Sequence, residues 1–227
     1  QALLHNLQQV RRHAPRARVM AVVKANAYGH GLAWVATTLK GADAFAVAGI
    51  EEGLALRAAG VKQPIVLLEG FFGADELSSL QSRQFSPVLH SEHQLRLLEA
   101  DSVPLPASIW IKLDTGMHRI GFAPEMLTGV LARLRKLNGI RELRVLTHLA
   151  NADDVADPRT RQQIESFHAK VNGLGFETSL ANSAGVSAWP ESHADWVRPG
   201  IMLYGASPLM GKTAAELNLE PVMTLES

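Results

Sequence analysis

A lysine at the end of an apolar run is the first residue whose position suggests chemistry. Lys24 follows the run 19–23 and precedes Tyr28, Gly29 and Gly31. An ammonium group at the edge of an apolar cavity loses solvation, which lowers its pKa and favours imine formation. Tyr28 and the glycines could hold an anion beside it, although a tight turn would use the same glycines. An isolated lysine more often extends its amine to water, so Lys24 alone leaves both interpretations open.

A second group of ionisable residues occupies the segment 112–119. It contains Lys112, Asp114, His118 and Arg119. Lys112 and Asp114 would share one face of an extended strand, and a lysine inside a protein needs a partner charge. The segment therefore predicts either a functional cluster or a structural ion pair between these two residues.

Polar residues also follow three later apolar runs. In chain order they are His148, Asn182, Ser183, Arg198, Gly200 and Ile201. Ser183 and Gly200 are natural ligands for an anion, but taken alone each is more commonly explained otherwise, Ser183 by a helix N-cap and Gly200 by a turn. A zinc site is not favoured at His148, because the sequence has no cysteine and no HExxH spacing.

Short apolar runs alternate with helical periodicity along the whole chain. The predicted strands are residues 18–24, 44–48, 65–68, 87–89, 108–113, 144–148, 178–181 and 195–197. The predicted helices are residues 32–39, 51–59, 74–81, 92–100, 124–137 and 159–172. Continuous Val/Ile/Leu runs are typical of parallel strands buried on both faces. We therefore expect an α/β fold, a (β/α)8 TIM-type barrel with its site at the C-terminal strand ends; an open doubly wound sheet is the alternative.

The composition excludes several classes of protein. The 227 residues include 22 Lys+Arg, 22 Asp+Glu and no cysteine. This balance gives no electrostatic reason to bind nucleic acid or a membrane surface. The sequence shows neither a membrane span nor a signal peptide. We expect a cytoplasmic protein without a thiolate metal site or disulfides.

Taken together, the strand-end residues describe a site for a phosphorylated aldehyde cofactor. The segment 21–31 resembles the pyridoxal 5′-phosphate (PLP) attachment signature of bacterial alanine racemases. The resemblance continues through residues 112–121, 147–148, 182–183 and 198–201, and so covers essentially the whole chain.

The resemblance implies a fold-type III PLP enzyme that interconverts L-alanine and D-alanine and supplies D-alanine for peptidoglycan. Lys24 would carry PLP as an internal aldimine and act as a base at the substrate α-carbon, with Arg119 and His148 in the catalytic set. The residues implied to bind the cofactor are Lys24, Tyr28, His148, Asn182, Ser183, Arg198, Gly200 and Ile201. Arg198 would face the pyridine nitrogen with support from His148. Lys112 is implied to be a carbamate that holds Arg119.

Racemisation needs a second base, which in this family is a tyrosine from the other domain of the partner subunit. This sequence has two tyrosines; Tyr28 is assigned to the phosphate, and no motif supports Tyr204 in that role. Both ends of the chain look cut, so we expect residues 1–220 to form the barrel and residues 221–227 to begin a missing β domain. The resemblance thus implies a homodimer when full-length, and a fragment that binds PLP but racemises poorly.

Three alternatives remain at this stage. A single-domain PLP-homeostasis protein has about this length, but the segment 114–119 argues against it. Another fold-type III racemase or a decarboxylase would share the fold, although decarboxylases differ in the fifth-strand motif. A Schiff-base aldolase using Lys24 without a cofactor would be colourless.

Overall fold

Eight parallel strands close into a barrel in the computed structural model, which describes residues 1–100 and 104–224. Each strand pairs with the next, and β1 pairs with β8 to close the sheet. The strands are β1 (Arg18–Val22), β2 (Ala44–Val47), β3 (Ile65–Leu67), β4 (Phe85–Leu89), β5 (Ser108–Lys112), β6 (Glu142–Leu146), β7 (Thr178–Ser179) and β8 (Trp196–Val197). The predicted (β/α)8 TIM-type barrel is confirmed.

The barrel interior combines small and large side chains. Ala44 and Ala46 of β2 occupy little volume, whereas β5 and β8 contribute Trp110 and Trp196, whose rings meet edge to face at 6.2 Å. Alternate residues along each strand point to the opposite face and pack under the helices. Because both faces are buried, the strands read as continuous apolar runs rather than as alternating patterns.

Helices cover the outer face of the barrel. Their bounds are α1 (Ala2–His13), α2 (Lys24–Tyr28), α3 (Leu32–Thr38), α4 (Ile50–Ala58), α5 (Leu77–Ser82), α6 (Glu92–Glu99), α7 (Leu127–Leu134), α8 (Arg159–Val171) and α9 (Ser183–Ala188). Helix α6 begins at a serine N-cap, because the Ser91 side chain accepts a hydrogen bond from the backbone N–H of Gln94. Buried Leu95 and Leu98 then face the barrel.

Several predicted boundaries were wrong. Strand β1 ends at Val22 because the chain turns into α2, and β6 ends at Leu146, so His148 lies beyond its strand. The predicted helices 74–81 and 124–137 each begin as a 3₁₀ turn, at Ala74–Glu76 and Pro124–Met126. Helix α9 was not predicted, because six residues with an internal glycine show too little periodicity.

The segment after the barrel folds back onto α1. The buried Asn6 side chain donates to the backbone oxygens of Leu203 at 3.0 Å and Glu220 at 2.8 Å, and it accepts from the Glu220 N–H at 2.8 Å. Residues 221–224, where the β domain is predicted to begin, belong to no strand, and 225–227 lie outside the described residues. Within the described ranges, no helix has the length and apolarity needed to cross a membrane.

Candidate active site

A cavity of about 690 Å³ opens at the carboxyl ends of the barrel strands. Every candidate site residue borders it: Lys24, Tyr28, Lys112, Arg119, His148, Asn182, Ser183, Arg198, Gly200 and Ile201. Its apolar floor comes from the last inward-facing residues of the strands, such as Val22, Val88 and Leu146. Four of the bordering side chains are Lys or Arg and two, Glu69 and Asp153, are carboxylates, so the cavity suits an anionic ligand.

Lys24 and Tyr28 are placed by a left-handed turn. Residues 25–28 all have φ between 53° and 57°, a conformation that costs roughly 1–2 kcal/mol for each L residue. The side chain of Asn26 accepts a hydrogen bond from the backbone N–H of Leu32 at 2.8 Å and so ties the turn to the start of α3. Strain of this kind persists where surrounding contacts over-determine it. Here it brings both ends of α2 to the cavity.

The Ser183 hydroxyl and the loop that carries Gly200 meet beside Tyr28 at one corner of the cavity, the Ser183–Gly200 corner. The Ser183 Oγ accepts hydrogen bonds from the backbone N–H of Gly200 at 2.8 Å and of Met202 at 3.3 Å. A Cβ on Gly200 would stand 2.5 Å from the Tyr28 Oη, so only glycine permits this approach. The Tyr28 and Ser183 hydroxyls and the backbone of the Gly200 loop therefore border one part of the cavity, which a phosphate group could occupy.

Asn182 orders the Ser183–Gly200 corner through hydrogen bonds to the backbone. Its side chain caps α9 by accepting from the Gly185 N–H at 3.0 Å and donates to the backbone oxygen of Leu149 at 3.1 Å. The N-cap of the helix is thus Asn182, whereas sequence reasoning offered Ser183 for that position. Because the cap is Asn182, the Ser183 hydroxyl is left to bind the Gly200 loop.

Arg198 is a buried guanidinium without an ion-pair partner in the part of the chain that the structure describes. Its Nη1 donates to Ser179 Oγ at 2.6 Å, and its Nη2 donates to the backbone oxygens of Thr147 at 2.5 Å and Leu180 at 3.3 Å. Burial lowers the pKa of Arg198 to about 10, so the group stays charged at neutral pH.

His148 is a neutral imidazole at the same wall. Burial, followed by repulsion from Arg198 and Lys112, holds the pKa of His148 well below its ordinary value. A third and fourth cation, Arg119 and Lys24, act in the same direction. His148 can therefore accept or donate a hydrogen bond there without adding charge.

Lys112 is 6% exposed and faces other cations. Burial lowers the pKa of Lys112 to about 8, and repulsion from Arg119 and Arg198 adds to the effect. Among the described residues it makes no ion pair. A substantial fraction of the amine is therefore neutral in mildly basic solution, which makes it a nucleophile.

The ion pair between Lys112 and Asp114, one of the two sequence interpretations, does not form. Asp114 instead accepts hydrogen bonds from the backbone N–H groups of Gly116, Met117 and His118 at 3.0–3.1 Å. Burial alone would raise the pKa of Asp114, but these N–H groups hold it below its ordinary value. Its carboxylate orders the loop that carries Arg119 rather than neutralising Lys112.

His30 and Tyr204 lie outside the cavity lining. The His30 ring stacks on Tyr204 at 4.6 Å, and the Tyr28 ring lies 4.8 Å from Tyr204. The Tyr204 hydroxyl donates to the backbone oxygen of Val22 at 3.1 Å, and burial raises its pKa. Tyr204 therefore supports Tyr28 from outside the cavity, and its hydroxyl is held by Val22.

Sequence reasoning missed several residues of the site. Glu69 and His90 follow β3 and β4, so the rule that singled out His148 and Arg198 would have found them. The His90 ring contacts the backbone oxygen of Glu69 at 3.0 Å, and Gln94 donates to the same oxygen at 3.2 Å. Glu52, on α4, accepts hydrogen bonds from the backbone N–H groups of Asn26 and of Ala48, which borders the cavity. No local sequence signal distinguishes it from a solvated helix residue.

Candidate metal ligands are not grouped in the described part of the chain. The structure has no set of three or more His, Asp or Glu side chains there that could hold a metal ion.

Fold and cavity together define a parallel (β/α)8 barrel whose cavity at the C-terminal strand ends is bordered by lysine and arginine side chains. The family model "Alanine racemase, N-terminal domain" matches residues 1–208. The chain therefore belongs to the alanine racemase N-terminal domain family.

Individual relatives agree with this assignment. The chain is 49% identical over 227 residues to the alanine racemase of Aeromonas hydrophila subsp. hydrophila. This match covers 100% of the chain and 64% of that protein. It matches the crystal structure of the biosynthetic alanine racemase of Pseudomonas aeruginosa with a TM-score of 0.93 and 46% identity, over 97% of this chain and 62% of that one. The alanine racemase of Bartonella henselae, solved with covalently bound pyridoxal phosphate, matches with a TM-score of 0.79 and 31% identity, over 91% of this chain and 62% of that one. The chain thus spans somewhat less than two thirds of the length of these relatives.

Proposed function

We propose that this chain is the cofactor-binding barrel of an alanine racemase, which interconverts L-alanine and D-alanine with PLP. One observation carries the proposal: Lys24, the Ser183–Gly200 corner and Arg198 border a single cavity. It is supported by the 49% identity to an alanine racemase.

The cavity residues fit PLP. When bound, this cofactor supplies an aldehyde that an amine can hold and a conjugated ring that stabilises negative charge on a substrate carbon. Lys24 is the amine. The Tyr28 and Ser183 hydroxyls and the backbone at Gly200 and Ile201 would hold the phosphate. Asn182 would keep this corner ordered through its cap on α9.

Arg198 would make the cofactor a weaker electron sink by leaving its ring nitrogen unprotonated. A guanidinium donates hydrogen bonds but cannot take the proton of the pyridine nitrogen. Ser179 and Thr147 hold this guanidinium in place, and among the described residues it forms no ion pair with a carboxylate. With His148 neutral beside it, the ring nitrogen would stay unprotonated, and the α-carbon would regain its proton promptly rather than enter side reactions.

Lys24 would move the proton at the alanine α-carbon, and Arg119 would bind the carboxylate of the substrate. Lys112, whose amine is partly neutral near pH 8, would react with carbon dioxide to form a carbamate and release a proton. This change replaces a cation with an anion, so the repulsion between Lys112 and Arg119 becomes an oriented charge-assisted pair.

The second base would come from outside this barrel. In this proposal Tyr28 binds the phosphate at the Ser183–Gly200 corner, and the buried Tyr204 hydroxyl donates a hydrogen bond to the backbone oxygen of Val22. We propose that residues 1–220 form the PLP barrel and that a β domain following residue 220, presented by the partner subunit of a homodimer, supplies a tyrosine. In this account the enzyme works in the cytoplasm and its D-alanine is used for peptidoglycan.

The proposal is tested by measuring D-alanine formed from L-alanine, using chiral chromatography. The PLP-loaded 227-residue chain is compared with a chain that carries the additional length found in the relatives. We expect the longer chain to racemise and the shorter one to be at least about 100-fold slower, the usual cost of losing a positioned base. Lys24→Ala in the longer chain is the control. Absence of racemisation in both chains would overturn the function, and equal rates would place the second base inside this chain.

A further inference from the structure

We propose that Glu52 is a positioning residue that holds Lys24 and Tyr28 at the cavity by clamping α2 to the end of β2. This inference rests on the proposed function, because it concerns the lysine that would hold the cofactor.

The two oxygens of Glu52 bind two different parts of the chain. One accepts a hydrogen bond from the backbone N–H of Asn26 at 3.1 Å, and the other from that of Ala48 at 2.9 Å. Ala48 follows β2 and borders the cavity, whereas Asn26 lies in the middle of α2. Glu52 thus bridges two neighbouring βα units of the barrel.

The contact with Asn26 goes beyond ordinary helix capping. Glu52 lies in the first turn of α4, where a glutamate commonly binds an N–H just before its own helix and interacts favourably with the helix dipole. The bond to Ala48 is of this kind. The bond to Asn26 reaches another element and has no role in starting α4.

A carboxylate suits the clamp because it offers two acceptors and no donor. A glutamine at this position has only one acceptor oxygen. One of the two backbone N–H groups would therefore face the side-chain NH2 group, which is also a donor. An alanine would leave both N–H groups without their partner, and Asn26 is exposed enough for water to replace it.

The clamped segment is the strained one. Residues 25–28 are left-handed, and Asn26 is tied on its other side by the Leu32 N–H and the Gly31 N–H. Without Glu52, the N–H of Asn26 no longer fixes the turn from the barrel side. Lys24 and Tyr28 stand at its two ends, so both would lose their fixed position relative to the Ser183–Gly200 corner.

The clamp is tested first on the cofactor-free chain. Hydrogen exchange of peptides covering residues 24–31 is compared in wild type, Glu52→Ala and Glu52→Gln, with Glu51→Gln as the matched control, since Glu51 is exposed and precedes Glu52 on the same helix. We expect about tenfold faster exchange in this segment for Glu52→Ala, the loss of one hydrogen bond's worth of protection. Glu52→Gln should be intermediate and Glu51→Gln unchanged. Unchanged exchange in Glu52→Ala would overturn the clamp.

The positioning role is tested by PLP binding. The dissociation constant for PLP should rise about tenfold in Glu52→Ala and less in Glu52→Gln, while exchange in peptides from β5 and β6 stays at the wild-type level. Wild-type affinity in Glu52→Ala, or faster exchange spread evenly over the whole barrel, would overturn the positioning role. If Glu52→Ala does not fold, the same criteria apply to Glu52→Gln. A wild-type chain that does not bind PLP through Lys24 would instead contradict the proposed function, and the exchange experiment would still judge the clamp.

Discussion

At the scale of single residues, the charge of Lys112 is poorly accommodated by its surroundings. It is almost fully buried, faces Arg119 and Arg198, and has no carboxylate partner among the described residues. A group this poorly accommodated as a cation destabilises the folded barrel unless its charge changes.

We expect Lys112→Met to stabilise the cofactor-free chain at pH 6 in bicarbonate-free buffer, by about 1–3 kcal/mol. The pKa of Lys112 is lowered from 10.5 to about 8, so between these values the unfolded chain binds more protons and the wild type gains stability as the pH rises. The advantage of the variant should therefore be complete below pH 8 and shrink towards pH 10.5. Urea unfolding at pH 6 and pH 9.5 measures it. The exposed Lys40→Met is the control, and equal stability of Lys112→Met and wild type at pH 6 would contradict the account.

Gly200 is a second residue with a sharp prediction. In Gly200→Ala the new Cβ would meet the Tyr28 hydroxyl, and because Tyr28 is partly exposed its ring can move away. We expect PLP affinity to fall about tenfold or more while the free energy of unfolding changes by less than about 1 kcal/mol. Fluorescence titration and urea unfolding measure the two quantities. Gly129→Ala, where the added Cβ meets nothing within 4 Å, is the control: it should leave PLP affinity unchanged and raise the free energy of unfolding by up to about 1 kcal/mol, because Gly129 lies in α7 and alanine favours a helix over glycine. Normal PLP binding by Gly200→Ala would argue against a phosphate site at the Ser183–Gly200 corner.

At the scale of elements, the short helix α9 depends on its cap. Asn182→Ala removes the hydrogen bonds to Gly185 and Leu149. We expect the free energy of unfolding to fall by about 1 kcal/mol, and PLP binding to weaken because the neighbouring Ser183 is no longer held in place. Asn182→Asp keeps an oxygen for the cap and should recover most of the stability. Urea unfolding and PLP titration of both variants give the result. A stable Asn182→Ala with weak PLP binding would mean that Asn182 contacts the cofactor directly.

The helices and strands differ in how well the sequence predicts them. Long amphipathic helices such as α8 and buried runs such as β5 carry a clear pattern and were predicted nearly in full. The left-handed turn α2 was not, because Ala25 and Ala27 have no preference for positive φ, and the contacts that hold the turn, such as that from Glu52, come partly from residues distant in sequence. Strand β7 was predicted at residues 178–181 but comprises only Thr178–Ser179, because its ends are set by pairing with β6 and β8, which a local pattern does not contain.

At the scale of the whole molecule, closure of the barrel brings distant residues together. Lys24 and Arg198 are far apart in sequence but follow adjacent strands, since β1 pairs with β8. Knowing that the strands are parallel was enough to predict that their terminal residues share one cavity. It was not enough to predict that Asp114 turns to its own loop, or that Glu52 reaches across to Asn26, because such choices depend on distances that only the folded chain sets.

The most direct measurement of the central claim is to locate PLP on the chain. The protein is mixed with PLP, its visible spectrum is recorded, the product is reduced with borohydride, and the labelled peptide is found by mass spectrometry. We predict that the label lies on Lys24 and that Lys24→Ala loses both the absorbance band and the label. A label on another lysine such as Lys112, or a band that survives in Lys24→Ala, would contradict the assignment of this barrel as a PLP site built on Lys24.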